Sequence, residues 1–461
     1  MPTAQEYQEY LKIISNPDKI VKLAKLEFLN DDGTTAFVID NNYHRGYGGY
    51  SAGSRAFLQD GTLNVSLQNG KRRQASVSFA NLDGAFDFAV NKIWFGNKVR
   101  LMMGLKLSDG TDFYLPQGVF YFDSPSLDWK PNSRQASYTL TDKWAYLDGS
   151  LFGKLRDTYQ VETGANIFAA MQRVLQISRF TLAPTTDIMQ MIDPITPLFT
   201  DYFNNRTTIV NGQVYTNNLV PYELEVEYGQ SYADILMELN DLVAGWIGYD
   251  ATGRLSVLPS ENDIADQTKP VLWDYTTDSK TFLGLSETSN IGEVYNEYTI
   301  IGEALDSDFA PMARAINNDA GSDTSVGRIG RKSQTESASG YYTAEQCASL
   351  AAFRLKRATV LQKTVTVTST QMFHLQENNL ITVRRSDKQG SPVERHLIQS
   401  FSVPLNQTGT MSVTATSVTD YPNVAIEQDS LGTIATYKKE IEHGALYRRA
   451  ENKANADGTH Q

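Results

Sequence analysis

The sequence of 461 residues contains a single cysteine, Cys347. One cysteine excludes an intrachain disulfide framework and any zinc site built from several cysteines. There is also no apolar run close to the roughly 18 residues that a membrane helix needs. Residues 1–10 have neither the basic nor the apolar part of a secretory signal. We therefore expect no membrane span and no secretory leader.

Clustered basic residues are missing as well. The formal net charge is −12, from 41 Lys and Arg against 53 Asp and Glu. Binding to phosphates is driven by counterion release, which requires clustered Lys and Arg. Only short basic spots occur, at 71–73 and at Arg384 and Arg385. These features argue against a protein that reads DNA or RNA sequence.

Residues that commonly bind metals are few and scattered. No two histidines lie three or four positions apart, so no helix presents a metal-binding pair, although approach in the tertiary structure stays open. The five are His44, His374, His396, His443 and His460. Cys347 lies on the apolar side of a predicted helix, where a free cysteine usually behaves as a small buried hydrophobe.

The sequence also lacks the motifs of loops that bind phosphate or calcium. Gly46, Gly48 and Gly49 neither follow a clear strand nor open a helix, as a dinucleotide fingerprint requires. Residues 317–323 lack the terminal glutamate of a calcium loop and are interpreted as a solvated turn. Asp109 and Asp112 simply flank a glycine in a loop. The sequence therefore nominates no catalytic, cofactor-binding or metal-ligating residue, and we expect no cofactor and no enzyme.

The composition instead favours β structure. There are 24 Tyr and 20 Phe, and aromatic residues make up 11% of the chain. Period-2 alternation is dense at 63–67, 75–79 and 99–102, and residues 126–140 read as a hairpin. Residues 19–150 are accordingly predicted to form one antiparallel β-domain of about six or more strands.

A second region of alternation begins near Glu293. Residues 364–368 and 411–416 alternate almost perfectly, with valine or methionine facing in and threonine or serine facing out. Residues 380–383 and 396–403 add two further strands. Short strands separated by turns predict a closed barrel or a sandwich over 291–420.

Three helices have start signals. Thr163 precedes one, Ser231 with Asp234 forms a capping box before the second, and Thr343 with Gln346 marks the third, over 343–357. The hairpin at 246–257 has its turn at 250–253. The first two helices and this hairpin make 151–290 an α/β domain.

The remaining segments are interpreted as loops and ends. Residues 41–54 and 317–340 read as long surface loops, which are often functional or order on assembly. Residues 1–18 form an N-terminal arm, and 421–461 form a C-terminal tail with helix formers after Tyr437. That tail is either a docking segment or a frayed terminus.

The order of motifs resembles a known family. Residues 78–87, 93–101, 118–122 and 141–143 are followed by 295–303 and 328–330. The helix after Thr343 and the strands 400–405 and 411–413 complete the series. Together they resemble the baseplate or tail-tip hub proteins of tailed bacteriophages, related to the hub of contractile injection systems. The resemblance covers about 60–150 and 290–420.

This resemblance implies a structural virion protein. It implies two tail-tube-like antiparallel β-barrel or sandwich domains separated by an α/β domain. Three such chains form a ring that adapts the sixfold tail tube to a threefold spike or tip, and that conducts DNA during genome ejection. The implied partners are two further copies, the tail tube or distal tail protein, the spike or tip protein, and the tape measure protein. The implied location is the virion tail or baseplate, after assembly in the host cytoplasm.

Two further hypotheses follow from the residues themselves. A net-negative ring wall would repel DNA phosphates and let the genome slide. Alternatively, Tyr43, Tyr47 and Tyr50 in the glycine-rich loop could stack on sugars, which would make the chain a receptor- or carbohydrate-binding tail-tip protein. A tail-associated glycosidase is the third class considered, and no carboxylate pair singles itself out for it.

Overall fold

A computed structural model describes most of the chain. It covers residues 2–17, 20–30, 33–41, 56–81, 84, 87, 97–130, 133–151, 153–182, 207–210, 213–216, 219–220, 223–243, 245–259, 269–289, 292, 294–303, 310–338, 341, 344–359, 363–385, 393–418, 425–426 and 432–433. Among the described helices, none has the length and apolar character of a membrane span.

The described elements are mostly strands. The helices are α1 Ala4–Ser15, α2 Ile167–Leu182, α3 Tyr232–Val243, α4 Val326–Ile329 and α5 Ala344–Ala358, with a 3-10 helix at Lys143–Tyr146. The strands are β1 Lys22–Leu29, β2 Thr35–Asp40, β3 Ala56–Ser66, β4 Arg73–Asn81, β5 Lys98–Lys106, β6 Asp112–Lys130, β7 Ser133–Asp142, β8 Tyr159–Val161, β9 Thr207–Val210, β10 Gln213–Thr216, β11 Leu224–Val226, β12 Gly245–Tyr249, β13 Leu255–Pro259, β14 Val271–Thr276, β15 Phe282–Ser289, β16 Glu297–Ile301, β17 Pro311–Ile316, β18 Ser333–Ser337, β19 Lys363–Ser369, β20 Leu380–Arg384, β21 Glu394–Pro404, β22 Met411–Ser417, β23 Ala425–Ile426 and β24 Gly432–Thr433. The predicted class, mostly antiparallel β with a smaller helical part, is confirmed.

The chain divides into two compact units. Unit 1 takes 1–205, 218–288 and 363–418, and unit 2 takes 206–217, 289–362 and 419–461. The predicted boundary at 290/291 differs from this division, because strand pairing draws β19–β22 and β14–β15 into the same sheet as the N-terminal strands. The predicted domain 291–420 is thus shared between the units.

Unit 1 is organised around one sheet of thirteen strands. Its first strand group follows the order β3-β4-β7-β6-β5-β1-β2, with all neighbours antiparallel. Its second strand group comprises β14, β15 and β19–β22, in which β14 runs parallel to β20. The groups join where β21 pairs with β3, from Ser400 opposite Ser66 to Pro404 opposite Thr62. One apolar core therefore contains side chains of both groups, such as Phe79, Phe122, Val367 and Val413.

The segment after β7 forms a smaller α/β module within unit 1. Its core packs the 3-10 helix, α2, α3 and the β12–β13 hairpin around Met171, Leu239 and Val257. The capping box before α3 is confirmed, since Ser231 Oγ accepts from Asp234 N at 3.2 Å. The cap of α2 is Asn166, whose Oδ1 accepts from Ala169 N at 3.0 Å, and the expected Thr163 lies further upstream.

The predicted N-terminal arm contains a helix. α1 begins with a capping box in which Thr3 Oγ1 accepts from Glu6 N at 3.3 Å and Glu6 Oε2 accepts from Thr3 N at 2.6 Å. Tyr10 and Ile14 on one side of α1 are fully buried in the unit 1 core. The arm is therefore a packed part of the sheet structure.

Unit 2 is a small sheet covered by one helix. β16 pairs antiparallel with β17 and parallel with β18, and β17 also pairs with β23 and β24. Ile300, Ala313 and Ala315 pack against Cys347 and Leu355 of α5. The predicted loop 317–340 differs from this structure, because α4 and β18 lie within it. The start signal expected for α5 at Thr343 lies outside the described residues.

Candidate functional site: an uncharged sheet face

Alternation along each strand gives the unit 1 sheet two unlike faces. In β19, Val365 and Val367 are buried while Thr364, Thr366 and Thr368 are partly exposed. β22 repeats the pattern, with buried Val413 beside partly exposed neighbours. Because successive side chains of a strand point to opposite faces, hydroxyl groups collect on one side.

Strand register carries this pattern across the sheet. Thr366 lies opposite Thr414, Ser402 opposite both Ser412 and Asn64, and Asn64 opposite Gln74. Further along, Ser76 lies opposite Thr139 and Ser78 opposite Ser137. The resulting surface, named here the uncharged face, comprises Thr62, Asn64, Ser66, Gln74, Ser76, Ser78, Ser124, Ser126, Gln135, Ser137, Thr139, Thr364, Thr366, Thr368, Ser400, Ser402, Ser412, Thr414 and Thr416.

Neighbouring side chains on this face bond to each other. Ser137 Oγ lies 3.2 Å from Ser78 Oγ, which also accepts from Gln135 Nε2. Thr366 and Thr414 hydroxyls are 3.4 Å apart. Two shallow grooves of about 290 Å³ and about 310 Å³ run over the β3–β21 junction and over β4 and β7. Their linings are largely hydroxyl and amide groups.

Two carboxylates lie next to residues of the uncharged face, because Asp60 is opposite Ser78 and Asp128 is opposite Gln135. Asp60 accepts from Asn406 Nδ2 at 3.1 Å, and Lys71 pairs with Asp148 at 3.1 Å. A surface without fixed charge offers phosphates no counterion release, and one without aromatic rings offers sugars no stacking platform. The hydroxyl and amide groups of the uncharged face can therefore contact phosphates or sugars without binding them tightly.

A buried ionic clasp holds the α/β module to the sheet. Arg72 is 2% exposed, and its guanidinium donates to Gln68 O at 3.1 Å, to Ser256 Oγ at 3.4 Å and to Trp246 O. Asp142 accepts from the backbone N of Arg72 at 2.9 Å. Burial lowers the pKa of Arg72 to about 10, and its nearby carboxylates oppose that change.

The carboxylate of Asp142 accepts hydrogen bonds that connect three segments of the chain. Asp142 also accepts from Arg73 N at 3.0 Å and from Trp144 N at 3.1 Å. Burial raises the pKa of Asp142 to about 6, while these N–H donors act in the opposite direction. Asp142 thus fixes the start of β4 against the end of β7 and the 3-10 helix.

Arg73 extends the clasp to the second strand group. Its guanidinium pairs with Glu377 and donates to Gln376 Oε1 at 2.6 Å and to Gln117 O at 3.1 Å. The Arg73 and Glu377 side chains are 1% and 3% exposed. The pair therefore links β4, β6 and the loop before β20 inside the protein.

Helix α1 bridges both strand groups through one tyrosine. Tyr10 Oη lies 3.0 Å from His374 Nδ1 and accepts from Phe373 N at 2.9 Å. Its ring stacks on Phe113 of β6 at 4.8 Å between centroids. Burial lowers the pKa of His374 to about 4, so the imidazole is neutral at pH 7.

The sequence candidates for metal chemistry do not converge. His374 and His396 are both buried, and His396 lies on β21 with Nε2 3.7 Å from Glu394. His44, His443 and His460 lie outside the described residues. In the part of the chain that is described, no three His, Cys, Asp or Glu side chains are grouped to hold a metal. Cys347 is buried, with Sγ 3.6 Å from Pro311 O.

The other candidates have structural partners. Arg384 pairs with Asp274 at 2.7 Å, and Arg385 pairs with Glu287 at 3.1 Å. Asp112 pairs with Lys106 at 2.9 Å, whereas Asp109 caps its own turn through Thr111 N.

In the 317–323 segment, Asn317 Nδ2 donates to Ser322 Oγ at 2.9 Å and Thr359 Oγ1 at 2.7 Å. Its polar groups therefore bond to one another. Residues 42–55, with Gly46, Tyr43, Tyr47 and Tyr50, lie outside the described residues.

Comparison with known proteins finds likeness in structure alone. A scan against protein-family models and a search of curated proteins give no match. The tail protein of Neisseria meningitidis MC58 superposes with a TM-score of 0.52 at 10% identity, over 89% of this chain and 98% of that one. The 43 kDa tail protein of prophage MuSo2 from Shewanella oneidensis gives 0.52 at 13%, over 86% and 98%. The chain has a tail-protein fold.

Within this tail-protein fold, sequence reasoning missed the residues that hold the parts together. Arg72 and Arg73 were noted only as part of a short basic spot, Asp142 only as part of the motif 141–143, and Tyr10 was not singled out. A usable signal was present at the N-terminus, because Thr3 and Glu6 have capping-box spacing before Tyr7, Tyr10 and Ile14. Nothing in the sequence pairs Arg73 with Glu377, which are 304 positions apart.

Proposed function

We propose that this chain is a structural hub subunit of a phage-type tail. Three copies form a ring at the end of the tail tube, and the ring adapts the sixfold tube to a threefold spike or tip. The observation that carries the proposal is the joining of two strand groups in one chain by a single sheet. Two wall segments per chain would let three chains occupy six positions.

The uncharged face supports a channel role. Under this proposal it lines the DNA passage. Its hydroxyl and amide groups do not bind phosphate by counterion release, and they do not form an apolar patch that would favour association. A neutral wall is an alternative to the hypothesis of an acidic wall, and Asp60 and Asp128, which lie opposite Ser78 and Gln135, would add two carboxylates to it. The proposed partners are the tail tube or distal tail protein, the spike or tip protein, and the tape measure protein.

We propose no catalytic activity for the chain and a location in the virion tail or baseplate. The fold shared with two solved tail proteins over nearly their whole length supports a structural role. The sugar-binding alternative depends on Tyr43, Tyr47 and Tyr50, which lie outside the described residues, so no observation favours it.

Two measurements test this proposal. A label attached to the chain should appear at the distal end of the tail in electron micrographs of particles. Native mass measurement of the complex with its tube or spike partner should give three copies. Labels found on the capsid, or a stoichiometry of six, would contradict the hub assignment.

A further inference from the structure

Helix α1 is attached to the rest of unit 1 through one of its sides. Tyr10 and Ile14 are fully buried in the core of the sheet, whereas Gln8 and Lys12 are exposed. An isolated helix of twelve residues is only marginally stable in water, so α1 depends on the packing of its buried side. Any change that weakens this packing therefore acts on the whole helix.

The buried side of α1 covers the imidazole of His374, which is 8% exposed. Tyr10 Oη lies 3.0 Å from His374 Nδ1, and the two rings meet edge to face at 5.6 Å between centroids. The ring of Trp273 in β14 lies 5.5 Å from the same imidazole. His374 is therefore in contact with aromatic rings from both α1 and the sheet.

The hydrogen bonds at this contact suit a neutral imidazole. Tyr10 Oη accepts from Phe373 N at 2.9 Å, which leaves its own O–H to donate to Nδ1 of His374. Protonation places an N–H on Nδ1, so the Tyr10 O–H loses its acceptor. Among the described residues, Nε2 of His374 has no hydrogen-bond partner that could compensate. A buried charge without a partner favours any state in which the group reaches water.

The carboxylates of the elements around His374 are engaged with other groups. These pairs are Glu6 with Thr3, Glu9 with Ser108 N, Asp112 with Lys106, Asp274 with Arg384 and Glu377 with Arg73. Tyr7, Tyr10 and Tyr275 are uncharged, because burial raises the pKa of each. Burial also lowers the pKa of His374 to about 4. A proton on His374 would therefore bring a charge that its surroundings do not balance.

We propose that α1 is an acid-released helix, in which protonation of His374 detaches α1 from the sheet while the strands stay paired. Release gives His374 access to water and uncovers the Phe113 ring, on which Tyr10 stacks at 4.8 Å between centroids. The released state binds the proton with the ordinary affinity of histidine, so release becomes more favourable as the pH falls from about 6.5 to about 4. This inference does not depend on the proposed ring.

Hydrogen exchange of the natural chain tests the release without any substitution. At pH 7 the amides of α1 should be at least about tenfold less protected than those of β4 and β7, because only the helix has to open. Low concentrations of urea should leave exchange in α1 nearly unchanged, since the opening of one helix exposes little surface.

The pH dependence of exchange gives the second measurement. Between pH 7 and pH 4.5, the protection factor of α1 should fall roughly 50-fold after correction for the direct effect of pH on exchange. This value follows from a histidine pKa near 6.5 in the released state and about 4 in the attached state.

Three variants assign the pH response to one side chain. His374→Gln cannot titrate, so the fall in α1 protection should shrink to about threefold or less. The matched control is His396→Gln, which removes another buried histidine, on β21, and should keep the full fall. Glu9→Gln removes the carboxylate that α1 offers to Ser108 N and should also keep it.

Two outcomes would overturn the inference. One is exchange of the α1 amides with the same protection and the same urea dependence as β4 and β7, since α1 would then open only when the sheet unfolds. This outcome is read on the natural chain, so it applies even where a variant fails to fold. The other is a fall in protection that persists in His374→Gln or disappears in His396→Gln. Neither outcome bears on the hub proposal, which is judged by the tail label.

Discussion

The buried clasp and the uncharged face use charge in opposite ways. Arg72, Arg73 and Asp142 are 2%, 1% and 1% exposed, although residues of these types are mostly found at surfaces. The exposed sheet face beside them carries serine, threonine, asparagine and glutamine instead. In this chain buried charge fixes one segment to another, while the residues that make up the uncharged face are hydroxyl and amide side chains.

Removing the buried ion pair between Arg73 and Glu377 should lower the free energy of unfolding more than any of the other substitutions. Glu377→Ala leaves the Arg73 guanidinium buried without its carboxylate, and it should lower the free energy of unfolding by about 3–5 kcal/mol. Urea unfolding monitored by circular dichroism measures the loss. The matched control is Asp323→Ala, because its partner Arg328 and Asp323 itself are exposed by 54% and 89%. That change should stay within about 1 kcal/mol, and equal losses would contradict a special role for the clasp.

Lowering the pH should weaken the contact between Tyr10 of α1 and His374. Its pKa is lowered to about 4 by burial, so the unfolded chain binds this proton more tightly between pH 6.5 and 4. Stability from this group is therefore lost as the pH falls through that window, by up to about 3 kcal/mol. Asp142, whose pKa is raised to about 6, acts with the opposite sign below pH 6.

The pH effect of His374 can be isolated by substitution. His374→Gln keeps a polar group beside Tyr10 but cannot titrate. The difference in unfolding free energy between pH 7 and pH 4 should be smaller in this variant than in the natural chain, by up to about 3 kcal/mol. Parallel pH curves for the two chains would contradict a buried neutral histidine.

Removing one hydroxyl should have a moderate effect at the same joint. Tyr10→Phe leaves Phe373 N without its acceptor and His374 Nδ1 without its partner, at a cost of about 1–3 kcal/mol. Chemical denaturation of the two proteins measures the difference. Tyr228→Phe, at an exposed position, should be neutral. A neutral Tyr10→Phe would show that ring packing against Phe113 alone positions α1.

Individual helices and strands could be predicted from the sequence better than the pairing of strands that lie far apart in the chain. Alternation at 364–368 and 411–416 identified β19 and β22, and the Ser231 capping box located α3, because each signal lies within a few residues. The pairing of β21 with β3 joins positions more than 300 residues apart, and no local signal encodes it. The uncharged face was therefore visible only strand by strand, and the burial of Arg72 and Arg73 could not be predicted because it depends on the whole fold.

Adding charged residues to the uncharged face should leave the free energy of unfolding nearly unchanged and should alter the binding of DNA to this face. Asn64→Lys, Thr139→Lys and Thr414→Lys place three cations on separate strands of the uncharged face. Substitutions at these exposed or partly exposed positions should change the unfolding free energy by about 0.5 kcal/mol or less each.

The triple lysine chain should gain affinity for linear duplex DNA, and that affinity should fall steeply as salt rises. The natural chain and a control with glutamate at the same three positions should bind weakly. In assembled particles, the lysine variant should also slow DNA release, because phosphates passing the face would now release counterions. Normal release by the lysine variant, despite its salt-dependent binding in solution, would mean that this face does not meet the DNA.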